Sequence, residues 1–399
     1  MSVRLCRLTQ RVVDHGRAAS AAGFGAAGSG PVSLLIFVGG FHGSDAEELV
    51  GQAHHAIALD TVEKALCAGV FRDIVLSVDS ADLARQFRGY PVRVELDTGS
   101  FHFGLVLRDL IRKHGMTRPF YMGGGSAPLL SVEELRAVAD MVAATDNVVV
   151  ANNIYSADFF AFAPGAAIEQ VEPAAIDNNI PWLLKHQAGL SDLPLARSAG
   201  TQLDIDTPTD LMVLQIHPLV GPHTLRYIKT LNLDLTRLRQ AMRLFTDPLA
   251  EVIVAGRVGS HVWSHLETDV ACRLRVFSEE RGMRASGREE RGEVRSLLGF
   301  YLDKVGPARF FKTLAEMGQA ALIDTRVLFH HLHLSLSAPD RFYSDLMQPE
   351  NVENQVAREF TQAAMEAPIP VVLGGHTLVA GGLWALIDAA WQEKDKEMR

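Results

Sequence analysis

The chain is poor in cysteine. Cys6, Cys67 and Cys272 are odd in number and far apart among 399 residues. They form neither a disulfide framework nor a zinc spacing, which fits a reducing, cytoplasmic setting. No apolar run approaches the ~20 residues of a membrane span. Basic residues are not in excess: the net charge is −9, which argues against a general nucleic-acid binder and leaves room only for a local basic patch. No Ser/His/Asp or Cys/His arrangement suggests a nucleophilic enzyme, and no internal repeat is visible. The first residues carry Arg4, Arg7, Arg11 and Arg17 against a single acid, Asp14, followed by AASAAGFGAAGSG. They lack the apolar segment of a secretory signal, so residues 1–31 are expected to be a disordered leader.

What remains is an ordinary globular mixture. Apolar residues make up 48 % and charged residues 21 %, enough for a sizeable core, and the length calls for two domains. From Val32 strand and helix signals alternate. VSLLIFVGG (32–40), DIVLSVDS (73–80), VRVELD (92–97), PFYMGGG (119–125), NVVVANN (147–153) and DFFAFAP (158–164) read as strands. ALDTVEKALCAG (58–69), ADLARQF, FGLVLRDLIRKHG (103–115) and SVEELRAVADMVAAT read as helices between them. Such alternation predicts an α/β fold with a doubly wound, mainly parallel sheet over 32–217. A linker with Pro218 and Pro222 follows. Residues 225–399 read as a second, mostly helical α/β domain with one clear strand, EVIVAG (251–256).

The stretch GTQLDIDTPTDLMVL (200–214) places Asp204 and Asp206 one residue apart. Alternation with Leu203 and Ile205 predicts a strand with both acids on one face. Thr207, Pro208 and Asp210 then read as N-cap, first helical residue and capping-box partner. Two like charges side by side repel unless a cation lies between them, and the carboxyl ends of strands are where open α/β sheets bind ligands. Two further strand ends are candidates: Gly39 and Gly40 in the first loop, and Gly124, Gly125, Ser126 and Pro128 in YMGGGSAPLLSVEEL (121–135). Glycines there let backbone N–H groups approach a phosphate closely.

In order and spacing, FVGG (37–40), GGSAPLLSVEEL (124–135) and DIDTPTDL (204–211) resemble the nucleotidyltransferases with a GT-A-like Rossmann sheet. The molybdenum-cofactor nucleotidyltransferases and the phospholactate guanylyltransferases are the nearest in pattern. The resemblance covers roughly 32 to 215. It implies nucleotide binding at Gly39, Gly40, Gly124, Gly125, Ser126 and Pro128, with catalysis and a divalent cation (Mg²⁺ or Mn²⁺) at Asp204 and Asp206. The partners implied are a nucleoside triphosphate and a small phosphorylated or hydroxylated acceptor, in cofactor or sugar-nucleotide biosynthesis, with self-association left open. A GT-A-type glycosyltransferase, using Asp204-Ile205-Asp206 as its metal site, and a non-catalytic binding scaffold are the alternatives.

Two departures from that pattern stand out. Ser126 occupies the position of the family's metal-binding aspartate, and a neutral hydroxyl is a poor ligand for Mg²⁺. The first loop lacks the family's arginine and downstream lysine; Asp45, Glu47 and Glu48 follow it, with His54 or His55 near the lysine position. Asp79, Asp97 and Asp158 end or flank strands and could replace the missing carboxylate. Cations could come from Arg281, Arg284 or Arg288 of the second domain. That domain also carries His261 and His265 at helical spacing and a cluster of His330, His331 and His333, whose last two share a face only in a strand. Its GGHTLVAGG (374–382) is explained as well by close helix packing as by a ligand.

Overall fold

A computed structural model describes residues 30–39, 43–97 and 99–398. Residues 1–29 of the expected leader, and Gly40, lie outside the described residues.

The N-terminal unit alternates as the sequence predicts. β1 (Val32–Val38) is buried at every residue and leads to α1 (Asp45–Ala68), which opens on a capping box of Ser44 and Glu47. Then come β2 (Phe71–Val78), α2 (Ala81–Gln86), β3 (Arg93–Leu96), α3 (Phe103–Lys113) and β4 (Arg118–Gly123). α4 (Val132–Ala144) starts on the Ser131/Glu134 capping box. Next are β5 (Val148–Ala151), β6 (Phe159–Ala163), α5 (Ile180–His186), β7 (Ser191–Pro194), α6 (Ala199–Gln202) and α7 (Pro208–Ile216). The strands form one seven-stranded sheet in the order β3-β2-β1-β4-β6-β5-β7. β6 runs antiparallel to β4 and β5, and every other pairing is parallel. Order reverses between β1 and β4, and it is over the carboxyl ends at such a reversal that open α/β sheets bind their ligands.

The strand expected at Asp204 is corrected. The sheet edge beside β5 is taken by β7, and Ser198 caps α6 over 199–202 through the Thr201 N–H. Residues 203–206 are extended but join no sheet; Asp204 makes a single antiparallel bridge to Ser126. The period-2 alternation survives: Leu203 and Ile205 are buried, while Asp204 is half-buried and Asp206 exposed. Thr207 and Asp210 form the expected capping box, and Pro208 opens α7.

The C-terminal unit is helix-rich α/β. It contains α8 (Pro222–Ile228), α9 (Thr236–Leu244), β8 (Glu251–Gly256), α10 (Ser260–Asp269), β9 (Arg273–Ser278), α11 (Leu297–Val305) and α12 (Pro307–Met317). It continues with β10 (Ala320–Asp324), α13 (Thr325–His331), α14 (Ala338–Asp345), α15 (Gln355–Met365), β11 (Val371–Gly374) and α16 (Gly381–Glu397). Beyond β8, three strands that escape the sequence reading complete a parallel sheet in the order β11-β10-β8-β9. His330 and His331 lie in helix α13, so the strand in which His331 and His333 would share a face does not form.

The two sheets share one core. Val50 and Ile57 of α1, Leu211 and Leu214 of α7, Leu238 of α9, Val252 and Val254 of β8, and Leu383 of α16 belong to a single buried cluster. The glycines of 374–382 serve close packing within it. A Cβ on Gly381 would run into the backbone carbonyl of Gln202, and one on Gly374 would come within 3.3 Å of Thr209 Cβ. No helix among the described residues is long and apolar enough to cross a membrane.

Candidate functional site at the meeting of two sheet edges

The loop after β4 carries the first part of the site. Its glycines are bare because protein fills the space beside them. A Cβ on Gly124 would lie 3.2 Å from the Phe37 carbonyl, and one on Gly125 would collide with the His54 ring. Ala127, buried and without glycine's freedom, sits at φ 48, a left-handed conformation costing on the order of 1 kcal/mol. Pro128 is buried, and its carbonyl accepts a bond from Lys64 at 2.7 Å. Burial pushes that ammonium down to about 8 against the opposing pull of Asp60 and Glu134. The Ser126 hydroxyl donates to the Asp158 carbonyl at 2.7 Å, so its hydrogen is committed within the protein. In the first loop Gly39 (φ +153) packs against the Asp79 carboxylate.

His54 holds the acidic segment in place. Its Nε2–H donates to the Ile205 carbonyl at 2.6 Å, and burial first of all lowers its pKa. It therefore acts as a neutral clamp between Asp204 and Asp206, a role the sequence does not signal.

Four aspartates converge at this edge. Burial raises Asp204 well above its ordinary value, and the charges of Asp158, Asp206 and Asp177 add to the effect. Burial and then the Asp206 charge push Asp158 up to about 7, although the Asn152 amide donates to it at 2.7 Å. Asp177 is raised by burial despite accepting the Tyr121 hydroxyl at 2.9 Å. Asp204 Oδ1 is buried with no hydrogen-bond partner among the described residues. A carboxylate oxygen left so, amid like charges, is a group that a cation would satisfy. Asp210 is partly taken up within the protein: its Oδ2 accepts the N–H groups of Asp206 and Thr207, while its Oδ1, like that of Asp204, is buried without a partner among the described residues.

Among the described residues, the trio whose ligand atoms come within 4.8 Å of one another is elsewhere: Asp60, Glu63 and His223. There Asp60 accepts from the N–H groups of His223 and Thr224 and from the Thr224 hydroxyl, so it caps α8. Of the other sequence candidates, Asp97 accepts the Gly99 N–H through Oδ1 at 3.1 Å, a turn contact, and its Oδ2 is buried without a hydrogen-bond partner among the described residues. His265 pairs with Asp269 at 2.9 Å and stacks on Trp384, whereas His261 lies beside Gly259 and Arg281.

The second sheet turns its carboxyl edge toward the same acids. The Thr377 hydroxyl, just past β11, donates to Asp206 Oδ2 at 3.4 Å. Thr209 in the first turn of α7 donates to the Leu373 carbonyl at 2.7 Å. Order in this sheet reverses between β8 and β10. At that point Arg257 grips Asp324 through two bonds of 2.6 and 3.0 Å. Behind it Arg326 grips Asp345 through two bonds of 2.6 Å. His376 is pushed down to about 4 by burial and Arg257, opposed by Asp324 and Asp206. Of the arginines named from sequence, Arg288 is bound by Glu280 at 2.8 and 2.9 Å, while Arg281 lies beside His261 and Gly259.

Comparison with family models gives no match, and no curated protein matches the chain. Solved structures do match, and the likeness falls on the N-terminal half. One is a CMP:2-keto-3-deoxy-manno-octonic acid synthetase complexed with CTP, 10 % identical, covering 46 % of this chain and 95 % of that one, with a TM-score of 0.35. Another is a cytidylyltransferase from Leptospira borgpetersenii, 13 % identical over 50 % of this chain and 93 % of that one, TM-score 0.38. A third is Rv0371C from Mycobacterium tuberculosis in complex with manganese, 17 % identical over 45 % and 96 %, TM-score 0.33.

Proposed function

We propose that the chain transfers a nucleoside monophosphate from a nucleoside triphosphate to a small phosphorylated or hydroxylated acceptor. One observation carries this reading: Asp158, Asp177, Asp204 and Asp206 converge at the carboxyl edge of β4, with a buried oxygen of Asp204 unbonded. Such repulsion is sustained where a divalent cation and a polyphosphate complete the charge balance. Residues 32–217 would carry the nucleotide, with 225–399 closing the cleft from the other side.

Asp204 and Asp206 would hold the cation, Mg²⁺ or Mn²⁺, together with phosphate oxygens. Bound there, it supplies charge neutralisation at the α-phosphate and the leaving group. The chain's own part is positioning. His54 fixes the carbonyl between the two acids, and Thr377 orients Asp206 from the second sheet. The acceptor oxygen attacks the α-phosphorus, the bond from it to the bridging oxygen breaks, and pyrophosphate leaves with the electron pair. Alignment and electrostatics supply the rate in such chemistry. The Ser126 hydroxyl, bonded to the Asp158 carbonyl, serves the loop's shape, and Asp158 offers the nearby carboxylate in its stead.

The test is calorimetric titration of the wild type and of Asp206→Ala with a panel of nucleoside triphosphates and nucleotide sugars, with Mg²⁺ or Mn²⁺. The expected result is metal-dependent binding of one triphosphate, weakened at least tenfold in the variant. Binding of a nucleotide sugar alone would move the reading to a glycosyltransferase. No binding by a well-folded wild type would overturn it.

A further inference from the structure

The second sheet brings cations to the site as well as a wall. Arg197 lies in the connection from β7 to α6, Arg281 just past β9, and His261 in the first turn of α10 after β8. These positions belong to the carboxyl edges of both sheets. A Cβ on Gly259 would lie 2.9 Å from the His261 ring and 3.4 Å from the Arg281 guanidinium carbon. After burial, the guanidiniums of Arg197 and Arg281 are the groups that lower the His261 pKa, to about 4. Both arginines are exposed, and neither forms an ion pair or side-chain hydrogen bond among the described residues. That sets them apart from their neighbours: Arg257 is held by Asp324, Arg326 by Asp345 and Arg288 by Glu280. Arg281 and His261 thus stand side by side at Gly259, and Arg197, from the connection after β7, acts on the same imidazole, with neither guanidinium held in an ion pair among the described residues. Like charges gathered in this way repel until an anion lies between them.

The anion's chemistry follows from the geometry of the donors and from what stands opposite. Guanidiniums bind phosphate through paired, charge-assisted bonds. The aspartate cluster is near as well: Thr377 donates to Asp206, and the charges of both Asp206 and Arg281 act on the neighbouring His376. A group that fits between acids and arginines is a phosphate able to share a cation with the former and take hydrogen bonds from the latter. From the N-terminal unit the cation at this edge is Arg197, which follows β7. The position after its first loop carries His54, whose ring is turned to the Ile205 carbonyl, and Lys64 is engaged by Pro128.

We propose that Arg197, Arg281 and His261 form a phosphate-binding wall, so that the site is composite and draws its acids from the first sheet's unit and one guanidinium from beyond each sheet. The phosphate comes either from the nucleotide's polyphosphate or from a phosphorylated acceptor. The inference rests on the functional reading only for which of these it is, since the wall itself is tested without nucleotide.

The experiment is titration of the full chain with inorganic pyrophosphate in the presence of a chelator, at low and at high salt. The wild type is expected to bind, more weakly at high salt. Arg197→Ala and Arg281→Ala are each expected to weaken binding about tenfold, as loss of one charge-assisted hydrogen bond does, with partial recovery in Arg281→Lys. Both side chains are exposed and unbonded, so both variants should fold, and melting curves will check that. The source is then read by repeating the titration with saturating nucleoside triphosphate and Mg²⁺. Exclusion of pyrophosphate assigns the wall to the nucleotide, and retained pyrophosphate binding assigns it to the acceptor. Pyrophosphate binding lost in both variants, with no triphosphate bound under any condition, upholds the wall and overturns nucleotidyl transfer. No pyrophosphate binding by the wild type, or equal binding by wild type and variants, overturns the wall.

Discussion

At the residue scale the aspartate cluster makes stability depend on pH in an unusual sense. Burial and the Asp206 charge raise Asp158 to about 7 in the folded chain, against about 3.9 in the unfolded one. The folded state therefore holds this proton more tightly. Stability from the group is complete below about pH 4 and is lost as pH rises through 7. Asp158→Asn removes the charge and keeps the shape, so at pH 8 the variant should be more stable than the wild type by on the order of 1–3 kcal/mol. At pH 5 the difference should shrink. Thermal melting at both values checks this, and a wild type equal to the variant at pH 8 would count against a buried, crowded Asp158. Residue placement was legible where the pattern is local. Alternation about Asp204 and Asp206 marks both as facing away from the core, as they do. The clamp by His54 was not legible, because its partner Ile205 is 151 residues away. Nor was Asp177, which stands in a loop with no motif to mark it.

Helices and strands divide in the same way. The caps at Ser131 and Thr207 show in the sequence because each partner lies three residues on. β10 and β11 did not show: AALID and VVLG are short apolar runs, and periodicity cannot tell such runs from pieces of buried helix. The extended stretch at Asp204 was read as a sheet strand because a period of two reports an extended backbone and says nothing about its neighbours. α16 offers a test of element packing. Gly381→Ala drives a Cβ into the Gln202 carbonyl, a backbone group that cannot swing aside. It should cost on the order of 2–4 kcal/mol. Gly69→Ala meets no atom but keeps φ 66, so it should cost about 1 kcal/mol. Urea denaturation ranks the two, and a reversed order would mean that α16 does not seat on α6 this closely.

For the whole molecule the controlling fact is the shared core. α1 and α7, belonging to the first sheet's unit, bury Val50, Ile57, Leu211 and Leu214 in the same cluster as Val252 of β8 and Leu383 of α16. Burying such side chains is worth about 1.5–3 kcal/mol each, so a chain ending at residue 217 would expose a large apolar face. We expect that fragment to aggregate or to behave as a molten state, and the intact chain to unfold in one transition. Calorimetry and fragment expression test both expectations; two well-separated transitions would mean the sheets are independently stable. The chain passes between the sheets through the stretch from Ile205 to Thr209, pinned at one end by His54, at the other by Leu373, and between them by Thr377. Those few residues act as a ruler. One residue added or removed there would throw the acids out of phase with both sheets at once, so, Asp206 apart, the site should tolerate changes of side chain in this stretch far better than any change in its length.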